Sequence, residues 1–478
     1  MEPQNNSNPP SAGMQNPAPV YENQNVVPPA APPPSEPESK GLFSKLPLKS
    51  IAIGLLGLLV IVGIGFGVKQ FFFNEKVSEM ANITYWGLWE DQQSLQDLIA
   101  EYEAQNPNVK ISYTKQAKED YRERLVNAQK KGEGPDIFRF HNTWVPMLES
   151  ELSALPENVM ATKTFETTFY PVTLKDLQSG SQIVGMPLMF DGLGLYINEE
   201  IFTQAGRDNP TTWNDLRVLA KELTIKDSEG RILQAGVALG RIENVDHWED
   251  ILSLMMLQNR VNMSNPTDKL AQDALLFFTA FNTVDKVWDE SLPPSVQAFA
   301  GGKLAMLFAP SWRVFEIKQQ NPNLSFRVVP VPQLPKNSPS DPDITWASYW
   351  VEGVSNKSKN TEASWKFLKF LSEKSSQQKL YANSAKSRLF GPIYARTDMA
   401  DLIKNDPFTG AFVLQAPSAS SWYLASRTFD GPTGINSKIS TYFKNAINAI
   451  VLERQDPERV LPTVAQGVIQ VLGDYGRK

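Results

Sequence analysis

The residues in this sequence best placed for chemistry are tryptophans that stand beside carboxylates and amides in short, turn-like stretches. Trp86, Trp89 and Glu90 share "WGLWE", Asn142 and Trp144 share "HNTW", and Asp191 interrupts the apolar run "GMPLMFDGLGLY". Asn244 with Trp248, Trp312 in "PSW", Tyr349 with Trp350, and Trp422 with Tyr423 repeat the mixture. Flat aromatic faces cover apolar C–H surfaces, while carboxylates and amides pair with hydroxyls. Together they suit a sugar ring. Each residue also has a structural reading: Trp86, Trp248, Trp346 and Trp350 would serve equally as packing, and Asp191 as a cap or turn residue. Trp213, Trp288 and Trp365 read as core.

Other chemistries lack material. The chain has no cysteine and two histidines, His141 and His247. Disulfides, thiol nucleophiles, a lipidated N-terminal cysteine, histidine triads and histidine metal cages therefore have no support, and no cofactor or metal is expected. A net charge of −6 argues against a nucleic-acid partner held through phosphates. The protein does not read as an enzyme, because no cluster of acids accompanies the tryptophans. A membrane-tethered glycoside hydrolase with a carboxylate pair is the rival from another class. An amino acid or peptide ligand would require fixed charge, half of which Arg396 or Arg427 could supply.

The elements that must carry these residues alternate between strand and helix. Residues 83–86 read as a strand, and Leu95, Leu98, Ile99 and Tyr102 form the stripe of a helix that stops at Asn106-Pro107. Residues 109–113 return as a strand, a helix follows at 121–131, and "DIFRF" is the third strand. Such alternation implies βαβ units around a parallel sheet, with ligands at the carboxyl ends of the strands. "WGLWE" and "HNTW" occupy two such ends. Further along, Thr212 and Asp215 form a capping box, and "LAMLF" is a strand delivering Pro310, Ser311 and Trp312 to a loop. At 478 residues the chain exceeds one core.

The first 76 residues differ. Residues 1–50 hold 12 of the 35 prolines, too little apolar surface to offset ordering entropy, and are expected to be disordered. "IAIGLLGLLVIVGIGFGV", residues 51–68, carries no charge and runs on to Phe71, Phe72 and Phe73, matching a membrane-spanning anchor over 51–73. Lys40, Lys45 and Lys49 precede it, so the positive-inside rule puts the tail in the cytoplasm and the binding domain outside the cell. Residues 74–82 then form a tether.

The segments "GPDIF", "GMPLMFDGLGLYINEEIF", "TTWNDLRVLAKELT", "EGRILQAGVALG", "AFAGGKLAMLFAPSW" and "VSNKSKNTEASWKFLKFL" occur in the order and spacing of one family. Their joint occurrence resembles the family 1 extracellular solute-binding proteins of ABC importers, the maltodextrin-binding-protein-like group, over about residues 80–475. The resemblance implies a two-lobed α/β fold of the periplasmic-binding-protein type II, closing on its ligand by hinge motion. Lobe I would take 83–188 and 353–395, and lobe II 189–352 and 396–478. It implies a carbohydrate ligand, ABC permease subunits as membrane partners, and, by position, Trp312 stacking on the sugar while Asp191 bonds its hydroxyls. Trp144 and Trp422 come next in expectation. Family members in cells without a periplasm usually carry a lipidated cysteine; here a transmembrane anchor stands in its place. A receptor that senses ligand and signals inward is the alternative to import.

Overall fold

The computed structural model describes residues 80–336, 338 and 340–477. The expected tail (1–50), anchor (51–73) and most of the tether (74–82) lie outside the described residues. Among the described residues no helix is long and apolar enough to cross a membrane.

Two main sheets, each with its own apolar core, organise the described chain, alongside two sheets of two short strands. Strand β1 (Ala81–Gly87) turns Ile83 and Tyr85 inward and Asn82 and Thr84 outward, the period-two pattern of a strand with one buried face. Helix Gln92–Gln105 buries Leu95, Leu98 and Tyr102, and ends where the Asn106 N–H closes on the Tyr102 and Glu103 carbonyls ahead of Pro107. Strand β2 (Val109–Lys115) pairs in parallel along all of β1. After helix Tyr121–Lys131, which stops on Gly132 at φ 74°, strand β3 (Ile137–His141) joins the other side of β1 in parallel and is buried throughout.

The second sheet holds β4 (Gly194–Asn198), β5 (Ile225–Lys226), β6 (Ile232–Val237), β7 (Leu304–Ala309) and β8 (Phe326–Val329), in the order β8-β4-β7-β6-β5. Only the β6/β7 pair is parallel. Helix Trp213–Glu222 opens on the expected capping box, with Thr212 and Asp215 each accepting from the other's backbone N–H. Trp213, Trp288 and Trp365 are core residues.

The fourth strand of the first sheet, β9 (Trp350–Val354), runs antiparallel to β3 with Trp350 opposite His141. Its ladder assigns Trp350, Val351 and Glu352 to the first sheet, three residues ahead of the crossover expected at 353. The later return also differs from the sequence reading. Leu380 and Ala395 pack in the first core, as expected, but Phe390, Ile393 and Tyr394 pack in the second.

Three of the chain segments that connect the two cores are hydrogen-bonded to one another. Met186 and Glu352 exchange backbone bonds of 2.8 and 3.1 Å, Ser348 N–H donates to the Asp191 carbonyl (3.1 Å), and Phe190 N–H to that of Ile393 (2.9 Å). Gly192 is required here, since a Cβ on it would lie 2.0 Å from the Trp346 carbonyl oxygen.

Candidate functional site

Where the three connections meet the loops of both sheets, a cavity of about 350 Å³ opens, within the size range of small-molecule sites. The first sheet contributes Trp89 and Glu90 from the loop after β1, Lys118 from the loop after β2, and His141, Tyr349 and Trp350 from the β3/β9 end. The second contributes Asp191, His247, Asp250 and the Pro310, Ser311, Trp312 turn after β7. Arg388, Phe390 and Ile393 from the third connection, with Ser426, Arg427 and Phe429, complete the lining.

The first-sheet wall is aromatic. Trp350 sits in the middle, edge-on to Trp89 (5.5 Å), Trp144 (5.4 Å) and His141 (5.2 Å). Phe429 reaches across from the C-terminal region to Trp89 (6.0 Å) and Trp350 (6.5 Å). Both Arg427 and Phe429 adopt left-handed backbone, at φ 53° and 51°. Bulky residues there cost about 1–3 kcal/mol each, strain of the kind that accumulates where a side chain must be aimed. Beneath this wall Arg139, 2% exposed, lies between Glu90 and Glu352. Its Nε donates to Glu352 Oε1 (2.7 Å), and so does the Tyr85 hydroxyl (3.0 Å). Burial pushes the Glu352 carboxyl up, against the pull of Arg139.

The second-sheet wall is a polar network. Asp191 Oδ1 accepts from the N–H of Gly192 (2.8 Å) and of Ser311 (3.1 Å), and Oδ2 accepts from the Ser311 hydroxyl (2.8 Å). Desolvation outweighs these three bonds and pushes the Asp191 carboxyl up to about 7. Asp250 accepts from Trp346 Nε1 (3.0 Å), the Ser426 N–H (3.0 Å) and the Ser426 hydroxyl. Arg313 Nε donates to His247 Nε2 (2.9 Å), so the ring proton belongs on Nδ1, which faces Ser426 Oγ (2.7 Å) and Asp250 Oδ2 (3.3 Å). Burial lowers the His247 pKa, and that of His141 to about 3; both rings are neutral. The Arg313 guanidinium lies 4.3 Å from the Trp312 ring centroid and backs the indole. Trp312 remains 38% exposed, more than any other tryptophan among the described residues. It is a flat platform on a fixed support.

A profile of the bacterial extracellular solute-binding proteins matches residues 86–378, more than half of the chain. The chain belongs to that family. A binding protein of Brucella abortus (strain 2308) is 22% identical over 375 residues, covering 76% of this chain and 86% of the relative. The multiple sugar-binding protein of Streptococcus mutans is 22% identical over 344 residues, covering 69% and 80%. Among solved structures, a cyclo/maltodextrin-binding protein complexed with maltotetraose superposes with a TM-score of 0.67 at 15% identity, over 83% of this chain and 99% of that one. The two-lobed α/β architecture is that of solute-binding proteins.

Within this solute-binding protein, Trp89, Glu90, Asp191, Trp312, Tyr349 and Trp350 meet at the cavity. The other predicted site residues do not. Asn142 is 2% exposed and spans the Asp176 carboxylate (2.9 Å) and the Tyr349 N–H (3.2 Å). Trp144 is fully buried behind Trp350, against Tyr121. The short 3-10 turn Asn142–Trp144 folds both inward. Asn244 donates to the Asp289 and Leu292 carbonyls (2.7 and 3.0 Å) and accepts from Trp288 Nε1 (2.8 Å), which makes it a loop clamp. Trp86 rests partly buried on the first core and Trp422 on the second, against Tyr423.

Sequence reasoning missed Lys118, Arg388, Phe390 and Phe429, and took neither histidine for the site. Lys118 could have been found, because it follows β2 at the same sheet end as "WGLWE". The remainder reach the cavity through non-local packing that no short motif announces.

Proposed function

We propose that this solute-binding protein captures a carbohydrate in the cleft by hinge closure and delivers it to an ABC importer. The observation that carries the reading is the pairing of Trp312 with Asp191: an exposed indole backed by Arg313, beside a carboxyl that Ser311 holds in place. A sugar lying on that ring would put its hydroxyl rim within reach of the carboxyl, while Trp89 and Trp350 cover the opposite face. The S. mutans relative is named for sugar binding, and the cyclo/maltodextrin-binding protein holds maltotetraose. Both support a sugar here. The apolar stretch 51–73 would hold the binding domain at the outer membrane face, raising its effective concentration at permease subunits.

The test is a thermal-shift screen of the full-length protein against mono- and oligosaccharides, amino acids and peptides. A ligand at a hundredfold excess over Kd adds about 2.7 kcal/mol, and a sugar is expected to raise the Tm. A screen in which amino acids or peptides do so and no sugar does would overturn the reading. Glycoside hydrolysis is tested alongside by new reducing ends; the bound sugar is expected back intact.

A further inference from the structure

We propose that the saccharide this cleft accepts carries an anionic group, bound among Lys118, Arg388 and Arg427. This rests on the carbohydrate reading above and adds the charge class. Acids and bases both line the cavity, but they differ in what already holds them. Asp191 accepts three hydrogen bonds and Asp250 accepts from Trp346, Ser426 and His247. Glu90 is ion-paired with the buried Arg139, and only its Oε1 lacks a partner. Arg313 is equally committed, to His247, Glu316 and Asp246. These charged groups are already firmly held by partners within the protein.

The other three cations are not. Lys118 is exposed, and among the described residues its ammonium touches only the Phe429 ring, 5.2 Å from the centroid. Arg388 lies over the Phe315 ring (5.4 Å), forms no ion pair among the described residues, and has a buried Nε without a partner. Arg427 reaches Asp246 only at 3.5 Å and is half exposed, a contact worth little. Burial lowers the Arg388 pKa, against the pull of Glu90. They come from three separate elements, the loop after β2, the third connection and the strained turn at 427–429. A buried guanidinium donor without an acceptor is costly, and an anionic ligand would supply one. The neighbouring Trp89, Trp350 and Phe429 would cover its ring.

The experiment measures Kd by calorimetry on the full-length protein for matched pairs: digalacturonate against galactobiose, and glucose 6-sulfate and glucose 6-phosphate against glucose. At least one acidic member is expected to bind about tenfold or more tightly than its neutral partner, the size of a charge-assisted bond or two. That preference should shrink as salt rises, and more than halve in Lys118→Gln, whose exposed site leaves folding intact, and in Arg388→Gln. Neutral sugars binding as tightly as acidic ones would overturn the charge assignment while leaving the carbohydrate reading intact. No binding by any saccharide, with amino acids or peptides binding instead, would overturn both.

Discussion

On the first-sheet wall of the cleft the aromatic rings stand on buried charge, with Trp89 and Trp350 above the Glu90, Arg139 and Glu352 cluster. On the second-sheet wall the arrangement is inverted: the polar groups Asp191, Ser311, His247 and Asp250 face the cavity, and one indole, Trp312, stands out from them. In the first, the carboxylate–guanidinium cluster is structural and hidden, and Lys118 is the exposed exception. In the second, hydrogen-bonding capacity is presented to whatever enters. Damage to the two walls should accordingly appear in different measurements, the fold for one and the ligand for the other.

The largest effect is expected beneath the first wall. Arg139→Met leaves Glu90 and Glu352 buried without their cation, a change that typically costs about 3–5 kcal/mol; chemical denaturation should show that loss. A variant as stable as wild type would remove the contrast between the walls. Next comes Trp312→Ala, which deletes the sugar platform and should weaken binding about a hundredfold, near 2.7 kcal/mol, by calorimetry. Because the ring is already 38% exposed, its Tm without ligand should change little.

A smaller effect is expected in the pH dependence of the second wall. The folded pKa of Asp191, about 7, exceeds the unfolded value near 3.8. Between those values the folded state binds the extra proton, so Asp191 contributes stability at low pH that is lost as pH rises toward 7. His141 and His247, with lowered pKa values, act in the opposite direction over part of the same window. The clean quantity is therefore the difference between Asp191→Asn and wild type. It should move in favour of the variant from pH 5 to pH 8, and a pH-independent difference would show that Asp191 is already ionised. Smallest of all is Trp422→Ala, which should change Kd by less than about twofold, since the ring lies outside the cavity.

Much of this was legible in the sequence where a single strand determines its own exit. The β1 exit placed Trp89 and Glu90, and the β7 exit placed Trp312, because loops at the carboxyl ends of such strands tend to face the cleft. Asn142 and Trp144 obey the same rule and still miss the cavity. Strand β9 lies beside β3 and its Trp350 takes the position at the cleft, while the 3-10 turn tucks Trp144 behind it. That pairing joins residues more than 200 positions apart, and no local pattern encodes it. Asn244 misled for a similar reason: its partners, Asp289, Leu292 and Trp288, arrive from a distant loop. Arg388 and Phe429 stand in segments with no strand period at all.

The C-terminal region also returns to the first-sheet side. Arg122 Nε donates to the Asp430 carbonyl (2.6 Å), and Asn436 Nδ2 to the Thr143 hydroxyl (2.8 Å). These bonds link the two halves of the molecule, and a hinge opening of the proposed kind would have to break them. Under the proposed hinge closure they would favour the closed form. Apparent affinity scales with the fraction of molecules in the binding-competent state, so a residue that never touches the sugar, such as Arg122, can set the concentration at which the cleft fills.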